Sequence, residues 1–509
     1  MKGTKILNLI NKHKDFVSVE WLTEILSKGF SIDGQQTREI LDYGVQVGLL
    51  YESGGRYDIK ESYSLSYTAH DSPIHKSIEQ FNEFINRFFL GMKIKDKIKK
   101  TLDKRELIKD FLEITPIFYD KYKLWWMWND EEFFWEKIDE TDIFNAINDV
   151  AESNTINSKE KNELLEALRQ ESRKKKPLKP KSSWVQFQDK IIDIDDGKEY
   201  AASSKYFISN PIKWKLGSNP ETPEIDKLFI SWVGEEHKEE LYEILAFCLI
   251  PSYFIHRQFC LIGSGANGKS TFLTILEKFI GDYNITSSSL HLLLKQRFEG
   301  SKLLKKLVCL IGETNFNMIT NTDLLKKITG EDTIRCEFKG KDGFDYKNYA
   351  KLIMATNSIP PTADKTDGFY RRWKIIEFAN KFTVESNVLG NIPSKEYENL
   401  ALRCLEVAKR LWKDRVFTND GTFEERKQRY EEKSNPMMQY VKEDYEKDIN
   451  GAVFFTEFFE GFNTYLDERG HRLLSAIMVG KQLTAEGFQV KNASRDDKNG
   501  RFIFGLKEK

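Results

Sequence analysis

Apolar positions in residues 17–30, VSVEWLTEILSKGF, recur every three or four places, and residues 31–50 carry a second such stripe beginning near Asp33. Both predict helices. Residues 49–60 then alternate about Gly54-Gly55, which predicts a hairpin. Helix, helix, hairpin is the order of a winged helix, although only Arg38 and Arg56 lend it basic charge, so a protein-contact or structural role suits it as well as DNA reading. From about 75 to 170 the pattern is mostly helical, interrupted by an aromatic knot, KLWWMWNDEEFFWEKI (123–138). The charges within the knot are acidic, so its rings read as packing and not as base stacking. Residues 183–210 alternate with period two and contain an Asp195-Asp196-Gly197 turn; 223–249 return to helical spacing and lead into an apolar strand at 257–262.

That strand runs into LIGSGANGKST (261–271), in which Gly263, Gly268, Lys269 and Ser270 have the spacing of a phosphate-binding loop. Such a loop, here Gly263, Ser264, Gly265, Ala266, Asn267, Gly268, Lys269, Ser270 and Thr271, wraps phosphates in backbone N–H groups. Lys269 supplies the charge, and Ser270 supplies a hydroxyl for Mg²⁺ at a helix N-terminus. Two further apolar strands end in polar tips. KKLVCLIGETN (305–315) ends at Gly312-Glu313, where a carboxylate can orient an attacking water and the hydrated metal. KLIMATNSIPP (351–361) ends at Thr356-Asn357, whose amide can hold a γ-phosphate or that water. Arg371 and Arg372 come just before another apolar strand, in TDGFYRRWKIIEF. The intervals leave room for a strand and its crossover each time, as in an open parallel sheet with ligands at its strand ends.

At 509 residues the chain predicts several domains. No apolar run approaches a membrane span, and charges interrupt the start where a signal peptide needs an apolar core, so a cytoplasmic protein is expected. The five cysteines are scattered through apolar runs, which suggests buried thiols and neither a disulfide framework nor a zinc site. A net charge of −1 excludes a uniformly basic coat but permits local patches. Residues 93–110 alternate charge at helical spacing and read as a solvated helix face. The run RKKKPLKPK (173–181) contains two prolines and reads as a basic linker, either merely solvated or in contact with nucleic acid.

Together GSGANGKST, LIGETN, LLKKITGEDTIRCEFKGKDGFDY, IMATNSIPP and DGFYRRW resemble the motor of superfamily 3 helicases, in the poxvirus and satellite-phage primase-helicase branch found in viruses, phages and plasmids. The similarity covers about 180–385. It implies a multidomain α/β protein whose central AAA+-like P-loop ATPase, built on a parallel sheet, is flanked by helical and winged-helix modules. It also implies a homo-oligomeric ring, usually hexameric, that uses ATP and Mg²⁺ to translocate on single-stranded DNA and unwind forked DNA. Glu313 matches the Walker B Glu, acting on the metal through water, Asn357 the sensor, and Arg371 and Arg372 the arginine-finger region. Gly312 stands where many members have a second acid. Residues 326–345 match the motif holding a DNA-contacting hairpin, whose tip here carries Lys339 and Lys341. Residues 453–507 give two helical segments and a hairpin turning at Lys498-Asn499-Gly500, a second winged-helix order. Its His471, Arg472, Lys481, Lys491, Arg495, Lys498 and Arg501 form a basic helix-and-wing surface suited to phosphates.

The expected divisions are a winged-helix-like module at 1–62, a helical domain at 63–172, the basic linker and a preceding domain at 173–250, the ATPase core at 251–385, a helical connector at 386–440 and a C-terminal winged helix at 441–509. The resemblance also implies a primase domain upstream of the motor in many members, whereas the roughly 180 residues here are short, helical and lack an evident cluster of metal-binding acids, so a separately encoded primase, or a polymerase, is an expected partner; the site would be the host cytoplasm if a virus encodes the chain. A rival reading is a DNA-binding initiator or regulator that uses ATP only to switch assembly. A P-loop kinase of small molecules is a third, which leaves two winged helices without a use.

Overall fold

The chain folds as two units, residues 1–128 with 135–177, and residues 129–134 with 178–509. The computed structural model describes residues 6–7, 10, 17–27, 32–53, 56–59, 77–89, 104–151, 158–263, 265–312, 319, 321–340, 342–357, 359–382, 388–468, 473–495 and 498–509.

The first unit opens with β1 (Val17–Ser18), α1 (Val19–Ser27), α2 (Gly34–Gln46), β2 (Leu50–Ser53) and β3 (Arg56–Ile59), with β3 between β1 and β2. Asp33 caps α2 reciprocally: its Oδ1 accepts the Gln36 N–H at 2.9 Å, while Gln36 Oε1 accepts the Asp33 N–H at 3.1 Å. Two helices and a hairpin are thus present as expected; Gly54-Gly55 lies outside the described residues. Next come α3 (Lys104–Ile114), β4 (Ile117–Tyr119), β5 (Trp125–Asn129), β6 (Phe134–Ile138), α4 (Glu140–Ala151) and α5 (Ser158–Lys174). The aromatic knot is therefore β-structure within a region read as mostly helical, because clustered rings fit a half-buried pleated surface better than a helix. Its packing role holds: Trp125, Trp126, Phe134 and Trp135 are buried, and Trp126 Nε1 donates to Asp120 at 3.0 Å. Residues 93–103 of the charged stretch lie outside the described residues.

The basic run is not a free linker. Arg173 and Lys174 close α5, and Leu178 N–H donates to Lys205 O at 2.7 Å while Leu178 O accepts the Phe207 N–H at 2.8 Å. Prolines 177 and 180 keep the rest of the run out of the helix but leave the intervening N–H groups able to pair. A small antiparallel sheet follows, β7 (Trp184–Phe187), β8 (Lys190–Asp193) and β9 (Glu199–Ala201), then α6 (Pro223–Val233) and α7 (Lys238–Leu249).

The centre of the second unit is built from β10 (Gln258–Ile262), α8 (Lys269–Ile280), β11 (Ile285–Ser288), α9 (Leu290–Lys295), β12 (Val308–Ile311), α10 (Thr322–Ile328), a hairpin of β13 (Thr333–Cys336) and β14 (Phe344–Lys347), β15 (Lys351–Thr356) and β16 (Trp373–Glu377). Five strands form one parallel sheet in the order β11-β12-β15-β10-β16, which makes the fold mixed α/β. Alternate residues feed two cores. Phe259, Leu261, Val308, Leu310, Ile353 and Ile376 join one, with residues of α6, α7 and α8; Cys260, Ile262, Cys309, Ile311, Leu352 and Met354 join the other. Burial on both faces explains why these strands read as continuous apolar runs. All five cysteines are buried thiols, as expected.

Helices α11 (Ser394–Asp414), α12 (Phe423–Lys433) and α13 (Pro436–Asp444) lead to β17 (Tyr445–Phe454), α14 (Phe455–Glu468), α15 (Ala476–Ala485), β18 (Gln489–Arg495) and β19 (Lys498–Glu508). The final hairpin does not turn at Lys498-Asn499-Gly500. Arg495 pairs with Lys498, Ser494 with Asn499 and Ala493 with Gly500, so these three residues belong to β19. Gly500 serves packing: a Cβ there would lie 3.0 Å from the Phe454 ring of β17, a strand the pattern did not reveal. Among the described residues no helix is long and apolar enough to cross a membrane.

Candidate functional site

The sheet order is what assembles the site. After β10 the chain crosses to β11 at the far edge, returns through β12 and β15, and ends on the other side of β10 at β16. The loop after β10 therefore opens at a switch point, between the strands that follow it last. Gly265, Ala266 and Gly268 have positive φ (98°, 47° and 91°), curling the backbone around the start of α8. Close approach dictates two of the glycines. A Cβ on Gly263 would fall 1.9 Å from Asn267 Nδ2, and one on Gly268 would fall 2.4 Å from Trp232 Nε1. The segment after β16 holds the loop from its other side: Asn267 Nδ2 donates to Phe378 O at 3.1 Å, and Phe382 N–H donates to Ala266 O at 2.8 Å.

Lys269 is buried within this frame. Its Nζ donates to Gly263 O at 2.7 Å, to Asn267 Oδ1 at 3.0 Å and to Asn357 Oδ1 at 3.4 Å. Asn357 follows β15, the neighbour of β10, and the Gly263 N–H donates to Thr356 O at 3.3 Å. Burial holds the Lys269 ammonium below its usual range, so an anion arriving here meets a cation short of solvent. Ser270 is exposed in the first turn of α8. Ser264 and Glu313 lie outside the described residues; Gly312, before Glu313, follows β12 directly and donates to Ser288 O at 3.1 Å. The residues fit a phosphate group: curled backbone, a buried lysine and a helix N-terminus converge. Among the described residues no group of three or more His, Cys, Asp or Glu could hold a metal.

Arg371 and Arg372 stand elsewhere. They precede β16, whereas the loop follows β10, and the two strands are parallel with Ile262 opposite Glu377. The arginines therefore sit at the opposite edge of the sheet, roughly 16 Å of strand away. They do not join the ligand edge to which the spacing had assigned them. Arg371 is exposed; Arg372 is buried, donates to Gly368 O through Nη1, and leaves its Nε without a partner. Burial, then the charge of Arg371, lowers the Arg372 guanidinium from its usual range.

The hairpin foreseen at 336–346 is present, Cys336 pairing with Phe344, with Gly340 at φ 76° and Lys339 exposed; Lys341 lies outside the described residues. Its loop is anchored by Glu337, which accepts from Arg335 Nε at 2.9 Å and from Arg297 Nε, and these bonds hold its carboxyl below the usual range. Arg297 and the exposed Phe298 beside it escaped the sequence reading because neither lies in a periodic stripe; an arginine-aromatic pair before Glu299-Gly300 was the only signal. Trp232, which backs Gly268, had no local signal, since it reads only as part of a helical stripe. In the C-terminal module Lys481 and Lys491 are exposed, Lys498 pairs with Glu457, and Arg495 and Arg501 lie over the Phe504 and Phe455 rings at 5.4 Å and 4.1 Å. His471 and Arg472 lie outside the described residues.

Residues 261–372 match a family model described as a family of unknown function, DUF5906. A protein of Acanthamoeba polyphaga mimivirus named "Putative helicase L207/L206" is 30% identical over 156 residues, 29% of this chain and 16% of that protein. The chain thus spans about a sixth of the length of this curated relative. Two apo structures of the NrS-1 C-terminal region align over 80% of this chain and 100% of theirs, at 14% and 16% identity and TM-scores of 0.44 and 0.42.

Proposed function

We propose that the chain is an ATP-driven DNA helicase that acts in the replication of viral, phage or plasmid DNA. One observation carries the reading: the Lys269 ammonium of the loop stands 3.4 Å from the amide of Asn357, a residue 88 positions later, just past the end of the neighbouring strand. A structural P-loop has no need of a second polar tip at that point; a hydrolytic one does. The resemblance to superfamily 3 motors and the name of the mimivirus relative point the same way.

In this reading residues 263–271 cradle the phosphates of ATP, and Lys269 exchanges its contacts with Gly263 and Asn357 for phosphate oxygens. Bound Mg²⁺ supplies charge that neutralises the β- and γ-oxygens, with Ser270 as its protein ligand. Glu313 orients the attacking water, and Asn357 reports on the γ-phosphate. Arg371 is too far from its own loop to serve it and is free to enter the site of a neighbouring subunit, which favours an AAA+-like ring, hexameric by resemblance. Lys339 and Lys341 on the hairpin, with Lys481, Arg495, Lys498 and Arg501 of a winged C-terminal module, contact DNA phosphates.

The test is ATPase activity with and without single-stranded DNA, together with strand displacement on a forked duplex, for wild type, Lys269→Ala and Glu313→Gln. Wild type unwinds; Lys269→Ala does neither; Glu313→Gln binds ATP and hardly hydrolyses it. ATP-dependent assembly without strand displacement would identify a switch protein instead.

A further inference from the structure

The second unit contains a cleft of about 740 Å³ that the reading above does not use. One wall is the end of the basic run, Lys179 and Lys181, continuing into β7 at Trp184; the other is the sheet edge at Lys305, Lys347 and Tyr349. These latter residues precede β12 and β15, so the cleft opens at the edge opposite the phosphate-binding loop.

Its charge is cationic. Lys181 is paired with Asp193 at 2.7 Å, but Lys179 and Lys347 are exposed along the cleft. Lys305 is held at φ 60°, an uncommon conformation for a lysine, with its carbonyl accepting from Asn210 Nδ2 at 2.8 Å and its ammonium 5.0 Å from the centre of the Phe207 ring. The acid of the cleft, Glu331, is engaged by Ser252 Oγ at 2.5 Å and the Tyr253 N–H at 2.9 Å. Gln186, 2% exposed, is engaged within the protein, its Nε2 donating to Phe133 O at 2.5 Å and to Gln188 O at 2.8 Å. What the cleft offers a ligand is positive charge, which suits one that carries several anionic oxygens.

We propose that this cleft is a further nucleic-acid contact, in which Lys179, Lys305 and Lys347 hold successive phosphates of single-stranded DNA. A strand suits it better than a free triphosphate. Among the described residues no glycine lines the cleft to bring backbone N–H groups around a polyphosphate, whereas lysines act as point charges indifferent to its geometry. The contact rests on the reading of the chain as a DNA motor.

The experiment compares full-length wild type with the Lys179→Ala, Lys347→Ala double variant, both substitutions being at exposed positions. Binding of a labelled mixed-sequence single strand is followed by fluorescence anisotropy over a series of salt concentrations, with DNA-free ATPase as the check on folding. The variant keeps its DNA-free ATPase, binds several-fold more weakly, and its slope of log affinity against log salt flattens by about 1.4, two contacts at about 0.7 each. An unchanged slope overturns the cleft and leaves the motor intact. Wild type that fails to bind the strand brings down the motor reading itself. Labelled ATP that still binds Lys269→Ala protein, and is lost on adding the cleft substitutions while the DNA slope stays unchanged, assigns the cleft to a free nucleotide and overturns the strand.

Discussion

At the scale of single residues, the two neighbouring arginines are expected to separate cleanly. Arg371→Ala leaves the thermal midpoint and ATP affinity in place and lowers turnover by a large factor, arginine fingers being worth roughly 10³ to 10⁵ in other nucleotide hydrolases. Arg372→Ala, by contrast, removes a buried donor from Gly368 O and destabilises the fold by roughly 1–3 kcal/mol, seen as a lower urea midpoint. Mixed rings of Arg371→Ala and Lys269→Ala subunits recover part of the activity if the arginine acts on its neighbour; absence of any recovery in rings shown to be mixed assigns it to its own subunit. Lys351, at the start of β15, gives a pH test. It is fully buried, donates to Ile250 O, and burial depresses its pKa from 10.5 to about 7. Below pH 7 both folded and unfolded chains hold the proton. Between about 7 and 10.5 the folded chain has released it while the unfolded chain keeps it, so stability rises with pH, on the order of 1 kcal/mol per unit. Lys351→Met is expected to lose that rise, and equal pH dependence of the two urea midpoints would refute it.

Elements carry a different kind of expectation. The β13–β14 hairpin joins α10 to the start of β15, so its base stands at the edge opposite the phosphate-binding loop, the same edge as Arg371. Its loop is stiffened where Glu337 takes two arginines and is open at Lys339. Replacing Lys339 and Lys341 by Ala is expected to spare basal ATPase, abolish its stimulation by single-stranded DNA and stop unwinding; wild-type unwinding by the double variant would free the hairpin of that role. Glu337→Gln keeps the shape but weakens both charge-assisted bonds, and a reduced DNA stimulation with unchanged basal ATPase is the expected sign that the loop must be held.

For the whole molecule the question is assembly. If Arg371, at the sheet edge opposite its own phosphate loop, serves the site of a neighbouring subunit as proposed, the particle is expected to be larger than a monomer when a non-hydrolysable ATP analogue is present, and larger or more uniform with single-stranded DNA. Light-scattering mass in the four combinations of analogue and DNA tests this. A monomer throughout would argue against a ring and for a nucleotide-switched binder.

Much of the site was legible along the chain. Phosphate-loop spacing, apolar strands ending in polar tips and the hairpin at 336–346 are local patterns, set by backbone geometry within a few residues, and the described residues of 261–271, 351–357 and 336–346 take the strand, helix-start and hairpin conformations those patterns predict. The aromatic knot misled because clustered rings signal burial before they signal strand or helix, and the final turn misled because Asn499-Gly500 looks like a turn until Phe454 is seen to need the space. What no local pattern contains is the order of the strands. Placing β15 between β12 and β10 brings Asn357 to Lys269, and the direction of β16 carries Arg371 to the far edge; the pairing of Leu178 with residues 205–207 turns a supposed linker into the wall of a cleft. Each depends on contacts between segments tens of residues apart, and those are decided by which apolar faces bury one another in the folded chain.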